Sequence, residues 1–110
     1  WQDLVRLSWR LQSESILANG YAESIQLILF HPQASHSAYA EGPPDAADFS
    51  IRAPHPTVHL LREVDVLQAV KSYPGADLIP SRNKTRLRSL GLDVCAEKLA
   101  ACTRGTGLRR

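Results

Sequence analysis

Arg52-Ala53-Pro54-His55-Pro56-Thr57-Val58-His59-Leu60-Leu61-Arg62-Glu63 is the stretch on which the reading of this chain turns. Proline fixes φ and biases the residue before it towards extended geometry. Pro54 and Pro56 therefore make a stiff approach into a short strand, Thr57 to Arg62, that stops where a helix begins. Two histidines, two arginines and a carboxylate fall within these twelve residues. On so rigid an entry, polar groups are held in place rather than moving freely in solvent.

A partner strand precedes it. From Ser24 to Phe30, Ile25, Leu27 and Leu29 face one side and Gln26, Ile28 and Phe30 the other. Apolar residues on both faces ask for cover on each side. His31-Pro32 ends this strand, and an irregular segment of about 25 residues follows, to Pro56. It holds six residues that break regular structure, Pro32, Gly42, Pro43, Pro44, Pro54 and Pro56, with Asp45 and Asp48 between them. Loops of this length are uncommon in compact domains and often functional. The small-residue run Ala34 to Ala40 equally suits a plain exposed insertion.

Helices are expected on either side. Upstream, Leu4, Leu7, Leu11 and Ala18 share one helical stripe, widened by Val5, Trp9 and Ile16, and Asn19-Gly20 supplies the stop. Downstream, Val66, Leu67 and Val70 mark a helix from about Val64 to Ser72, and Tyr73-Pro74-Gly75 is a turn. A third helix is predicted from Pro80 or Ser81 to Leu90, with Gly91 as its stop, and a last one over 93–102. The basic residues 103–110 read as a disordered tail. The predicted order is α-β-β-α-α, an α+β domain over residues 1–102 with a small antiparallel sheet covered by helices. A lone two-stranded ribbon is marginal in water. A preceding N-terminal segment or a second copy of the chain is therefore expected to complete it.

Composition bounds the rest. The 110 residues are one domain's worth, and 44% hydrophobic with 22% charged residues is ordinary for a globular protein. The longest apolar run, Leu27 to Phe30, is far short of the roughly 20 residues that span a bilayer. A net charge of +2 does not by itself call for nucleic acid. Arg82, Lys84, Arg86 and Arg88 wrap one helix instead of forming a stripe, and no aromatic residues interleave with them. The chain opens on Trp1, holds no methionine and shows no signal segment, so we expect a piece of a longer reading frame. Cytoplasmic location is the expectation, with an organelle matrix or stroma left open. Cys95 and Cys102 lie seven residues apart on one predicted helix, about 10 Å along its axis. That separation is too great for a disulfide, and two buried thiols are expected.

Several runs taken together resemble a family known as domain of unknown function 1415, found mainly in bacteria and also in photosynthetic eukaryotes. They are Phe30-His31-Pro32, the Arg52 to Glu63 stretch, Tyr73-Pro74, Ile79-Pro80-Ser81-Arg82-Asn83 and Leu87-Arg88-Ser89-Leu90-Gly91. The resemblance covers Gly20 to Gly91 well and the first helix loosely, and residues after Gly91 look particular to this chain. Ile51 stands where the family usually has asparagine, and His55 where it often has tyrosine. Members also carry an N-terminal half with a Cys-Pro-Phe segment that is absent here. The resemblance implies a shared fold and supplies no reaction.

The chemistry-bearing residues gather by topology. With the two strands antiparallel, His31 lies beside Thr57, and the long loop leaves and returns at that place. His31, Arg52 and His59 would then frame a small anionic-ligand or catalytic site at the base of the 32–56 loop. Arginine clamps the anion while histidine serves as acid or base. His31, His59 and Glu63 are the candidate catalytic residues, and Arg52, Arg62 and Arg82 the candidate ligand-binding ones. His31 and His59 with Asp45 or Asp48 would make a mixed metal set, but no HExxH or zinc spacing is present, and neither metal nor cofactor is assigned. The competing reading is a non-catalytic structural or protein-interaction domain whose histidines and arginines lock the loop.

Overall fold

The computed structural model describes residues 1–36 and 43–105. The chain is an α+β domain, and its strands β1 (Ile25–Phe30) and β2 (Thr57–Arg62) form a two-stranded antiparallel sheet. The register pairs Ile25 with Arg62, Ile28 with His59 and Phe30 with Thr57. The stiff entry thus delivers Thr57 opposite the last residue of β1, as the prolines require.

Helix α1 (Gln2–Arg10) precedes the sheet and continues as a π-helix over Leu11–Leu17. Ser13 Oγ donates to Trp9 O at 2.9 Å, the carbonyl that the Ser13 N–H would take in an α-helix. Tyr21 N donates to Ile16 O at 2.8 Å across the following turn, and the helix gives way at Asn19-Gly20 as read. Beyond the sheet come α2 (Glu63–Ser72), a 3₁₀ turn (Ala76–Leu78), α3 (Ile79–Leu90) and α4 (Leu92–Arg104), so three α-helices follow the sheet where the order α-β-β-α-α counts two. Gly91 joins α3 to α4 with φ 86° and ψ 163°, a conformation only glycine adopts readily.

Two further expectations are corrected. The segment from Pro32 to Pro56 is not irregular throughout, because Ala46–Ile51 forms a 3₁₀ helix. Its start is capped by Asp45, whose Oδ1 accepts the Ala47 N–H at 2.9 Å. The second correction is at the other end: α4 continues through Thr103 and Arg104, which were expected to be tail, and is capped by Gly105. The remainder of that basic tail, 106–110, and most of the small-residue run lie outside the described residues.

The most buried apolar residues are Ala34, Ala46, Ala47 and Cys95. Three of these four belong to the loop and its 3₁₀ helix, so the core sits where that helix packs against α3 and α4. Cover is thinner on the sheet and on α2. Leu60, Leu67 and Val70 remain exposed, although Leu67 and Val70 carry the stripe from which that helix was predicted. No helix among the described residues is long and apolar enough to cross a membrane.

Candidate functional site

The base of the 32–56 loop is laced by its own polar groups. His31 N donates to Ile51 O at 3.1 Å, which closes the loop where β1 ends. One turn in, Arg52 Nε donates to Ala34 O at 3.0 Å, and the guanidinium carbon lies 4.4 Å from the centre of the Phe49 ring. His36 N donates to Asp48 Oδ1 at 3.0 Å, and His36 Nε2 shares a hydrogen bond of 2.7 Å with Ser50 Oγ. Asp48 is buried, so its contact with the His36 amide compensates for water it has lost.

His31 is fixed at its ring as well as its backbone. Its Nδ1 accepts the Gln33 N–H at 2.9 Å, which places the proton of the neutral ring on Nε2. Trp1 lies against it, with ring centres 5.9 Å apart. Burial lowers its pKa below 6.5, so the neutral form prevails at pH 7. The Trp1 indole N–H beside it is buried and finds no acceptor among the described residues.

The other sequence-predicted residues are distributed more widely. His59 pairs with Ile28 across the sheet, and its ring centre lies 6.5 Å from that of Phe30, so the two histidines have different neighbours. Arg62 pairs with Ile25, at the opposite end of the ribbon from Thr57. Five residue steps at about 3.3 Å separate those ends by roughly 17 Å. Arg62 and Glu63 therefore do not stand behind His31 and Arg52 around one small ligand. Arg62 forms an exposed ion pair with Asp65 at 2.9 Å, and Glu63 lines a separate groove with Trp9, Ile16, Leu17, Ile25 and Leu27. Arg82 is exposed on α3, with no ion pair among the described residues. No group of histidine, cysteine and carboxylate side chains among the described residues could hold a metal ion.

Arg52 instead faces α4. A cleft of about 180 Å³ is lined by Phe49, Arg52, Leu87, Cys95, Lys98 and Leu99. It adjoins a second hollow of about 430 Å³ that shares Phe49, Arg52 and Leu99 and adds Arg104. No acidic side chain among the described residues lines either one. Arg104 is tied to Glu97 at 3.1 Å, which leaves Arg52 and Lys98 as the lining cations with no carboxylate partner among the described residues. The groove beside α1 is larger, about 520 Å³, but among the described residues its one charged lining residue is Glu63, so it suits no anion. The sequence reading missed Lys98, which sits far along the chain on an ordinary solvent-facing helix position.

Asp45 and Arg88 were also missed as a pair. Arg88 is one of the four cations that wrap α3, and it pairs with Asp45 at 2.9 Å. Of the two thiols, Cys95 is buried as expected, whereas Cys102 is exposed near the outer end of α4, where the helix has less to pack against.

A braced loop, packed on two helices and leading from a minimal sheet, defines a small α+β domain with a cationic cleft at the loop's edge. The chain belongs to the family described as "Protein of unknown function (DUF1415)", which matches residues 5–97. That span takes in more of α1 and α4 than the motif runs alone indicated. No curated protein and no solved structure matches the chain.

Proposed function

We propose that this domain binds a small anion with an apolar body, seated between the 3₁₀ helix and α4 at the base of the 32–56 loop. The observation that carries the reading is that Arg52 and Lys98 line one apolar cleft with no acidic residue beside them. Two cations at the mouth of a cleft without a carboxylate give it a positive field that draws an anion in. Arg52 is also pre-organised: its Nε bond to Ala34 O and its stacking on Phe49 fix the guanidinium, leaving the two Nη groups to donate. Lys98 supplies the second charge, and Phe49, Leu87 and Leu99 take the apolar part of the ligand. Neutral His31 stands at the same loop base as a donor through Nε2. The reading is one of binding; Arg62, Glu63, His59 and Arg82 take no part in it.

One observation favours a second reading. Arg52 Nε and the His36–Ser50 pair bond within the loop itself, as braces of a non-catalytic structural domain would. Calorimetric titration with benzoate, against the neutral benzamide, separates the two. Binding of benzoate that weakens about tenfold in Lys98→Ala, a change that touches no loop bond, supports the anion site. Equal affinity in wild type and Lys98→Ala, or equal heats for benzoate and benzamide, leaves Arg52 as a brace.

A further inference from the structure

Glu63 ends the Arg52 to Glu63 stretch and has no place in the anion cleft. Its N–H donates to Ser24 O at 2.9 Å, which pins the first residue of α2 to the turn that enters β1. There Glu63 lines the groove of about 520 Å³ beside α1, with Trp9, Gln12, Ile16, Leu17 and Leu27. Small-molecule sites span roughly 300–1,000 Å³ and join apolar walls to a few polar groups, as this groove does. It shares no described lining residue with the anion cleft. One wall is the π-helix over Leu11–Leu17, a rare geometry that recurs at functional sites.

We propose that this groove binds a small organic ammonium ion with a flat apolar body, the ammonium held by Glu63 and the body laid against Trp9, Ile16 and Leu17. Charge selects this occupant. Glu63 is half-buried and has neither an ion pair nor a side-chain hydrogen bond among the described residues. The neighbouring cations are already taken, Arg62 by Asp65 at 2.9 Å and Arg10 by Glu14 at 3.4 Å. A neutral apolar ligand would bury the Glu63 carboxylate further with nothing to replace its water, and an anion would be repelled. An ammonium group supplies the opposite charge and up to three N–H donors. Gln12 and Gln26, also in the lining, offer side-chain carbonyl oxygens to the donors that Glu63 leaves free. Trp9, 58% exposed, gives a ring face that attracts a cation and a flat wall for the ligand's body.

The test is calorimetric titration of the full chain with phenethylamine, against the neutral phenethyl alcohol. Phenethylamine is expected to bind saturably at one site, about tenfold more tightly than the alcohol. Glu63→Gln keeps the shape of the side chain and breaks no side-chain bond, so its circular-dichroism spectrum should be unchanged. It should lose that tenfold preference and bind the two compounds alike. Leu17→Lys, at a position already 63% exposed, sets a fixed cation in the groove and should abolish phenethylamine binding. Equal affinity of the wild type for amine and alcohol, or no saturable binding of the amine, would overturn the proposal. A folded Glu63→Gln protein that still prefers the amine would overturn it equally, because the charge would then be read elsewhere.

Discussion

Arg88 Nε and Nη2 donate to the two carboxylate oxygens of Asp45, at 3.1 and 2.9 Å, across 43 positions of sequence. The pair pins the capped start of the 3₁₀ helix to α3 and so sets where Phe49 and Arg52 stand. Exposed ion pairs contribute little energy individually. The importance of this one lies in its two-pronged geometry, which allows only one docking angle.

Acid should report that pair directly. The Arg88 guanidinium, and then the Ala47 N–H, lower the Asp45 pKa from 3.8 to about 2. A carboxylate whose folded pKa lies below its unfolded value stabilises the fold above the unfolded pKa, and that contribution is lost as pH falls through the folded one. Thermal melts of wild type and Arg88→Ala should therefore differ most above pH 3.8 and converge as pH approaches about 2. A gap that does not change with pH would mean that Arg88 acts through packing alone.

His31 carries the opposite charge type and titrates in another window. Burial lowers its folded pKa, so the native state favours the neutral ring. The stabilisation is complete above 6.5 and is lost as pH falls through the folded value. Nuclear magnetic resonance of the ring carbons should place the His31 midpoint below 6.5. A midpoint at or above that value would contradict the tautomer fixed by the Gln33 N–H.

Gly91 tests the α3–α4 joint. Nothing lies within 4 Å of where a Cβ would stand, so any cost of Gly91→Ala comes from the backbone at φ 86° alone. Forcing alanine into such a conformation costs about 1–3 kcal/mol. Urea unfolding should show a loss in that range, and an unchanged midpoint would mean the joint relaxes to another geometry.

Thiol labelling offers a simple check on α4. Cys102 is exposed and should react promptly with a maleimide, whereas Cys95 is 3% exposed and should react only after unfolding. Two rapid equivalents would show that α4 does not stay docked on α3.

Some of this architecture was legible before folding. Pro54 and Pro56 marked the entry to β2, and its bounds, 57–62, emerge unchanged. The antiparallel pairing that sets the end of β1 beside Thr57 follows from the same run. Pro80 and Gly91 framed α3 through local backbone preferences, which tertiary packing did not override. The 3₁₀ helix was hidden because its one or two turns show no periodicity, although Asp45 before Ala46-Ala47 is a recognisable cap. The site was legible only in part. His31 N bonds Ile51 O, the residue before Arg52, whereas the residues that line the cleft beside the Arg52 side chain come from packing of α4. No local pattern in Lys98 announces that it will face a residue 46 positions away. Glu63 follows the last residue of β2 and so stands at the end of the ribbon away from Thr57.

The central claim is that Arg52 and Lys98 hold an anion in the cleft below Phe49, and amide resonance mapping tests it most directly. Benzoate would be titrated into the isotope-labelled protein at fixed ionic strength, with Arg52→Ala in parallel. The expected result is saturable shifts confined to Phe49, Arg52, Leu87, Lys98 and Leu99, absent in the variant. Shifts that grow linearly over the whole surface, or that persist in a folded Arg52→Ala protein, would contradict the account.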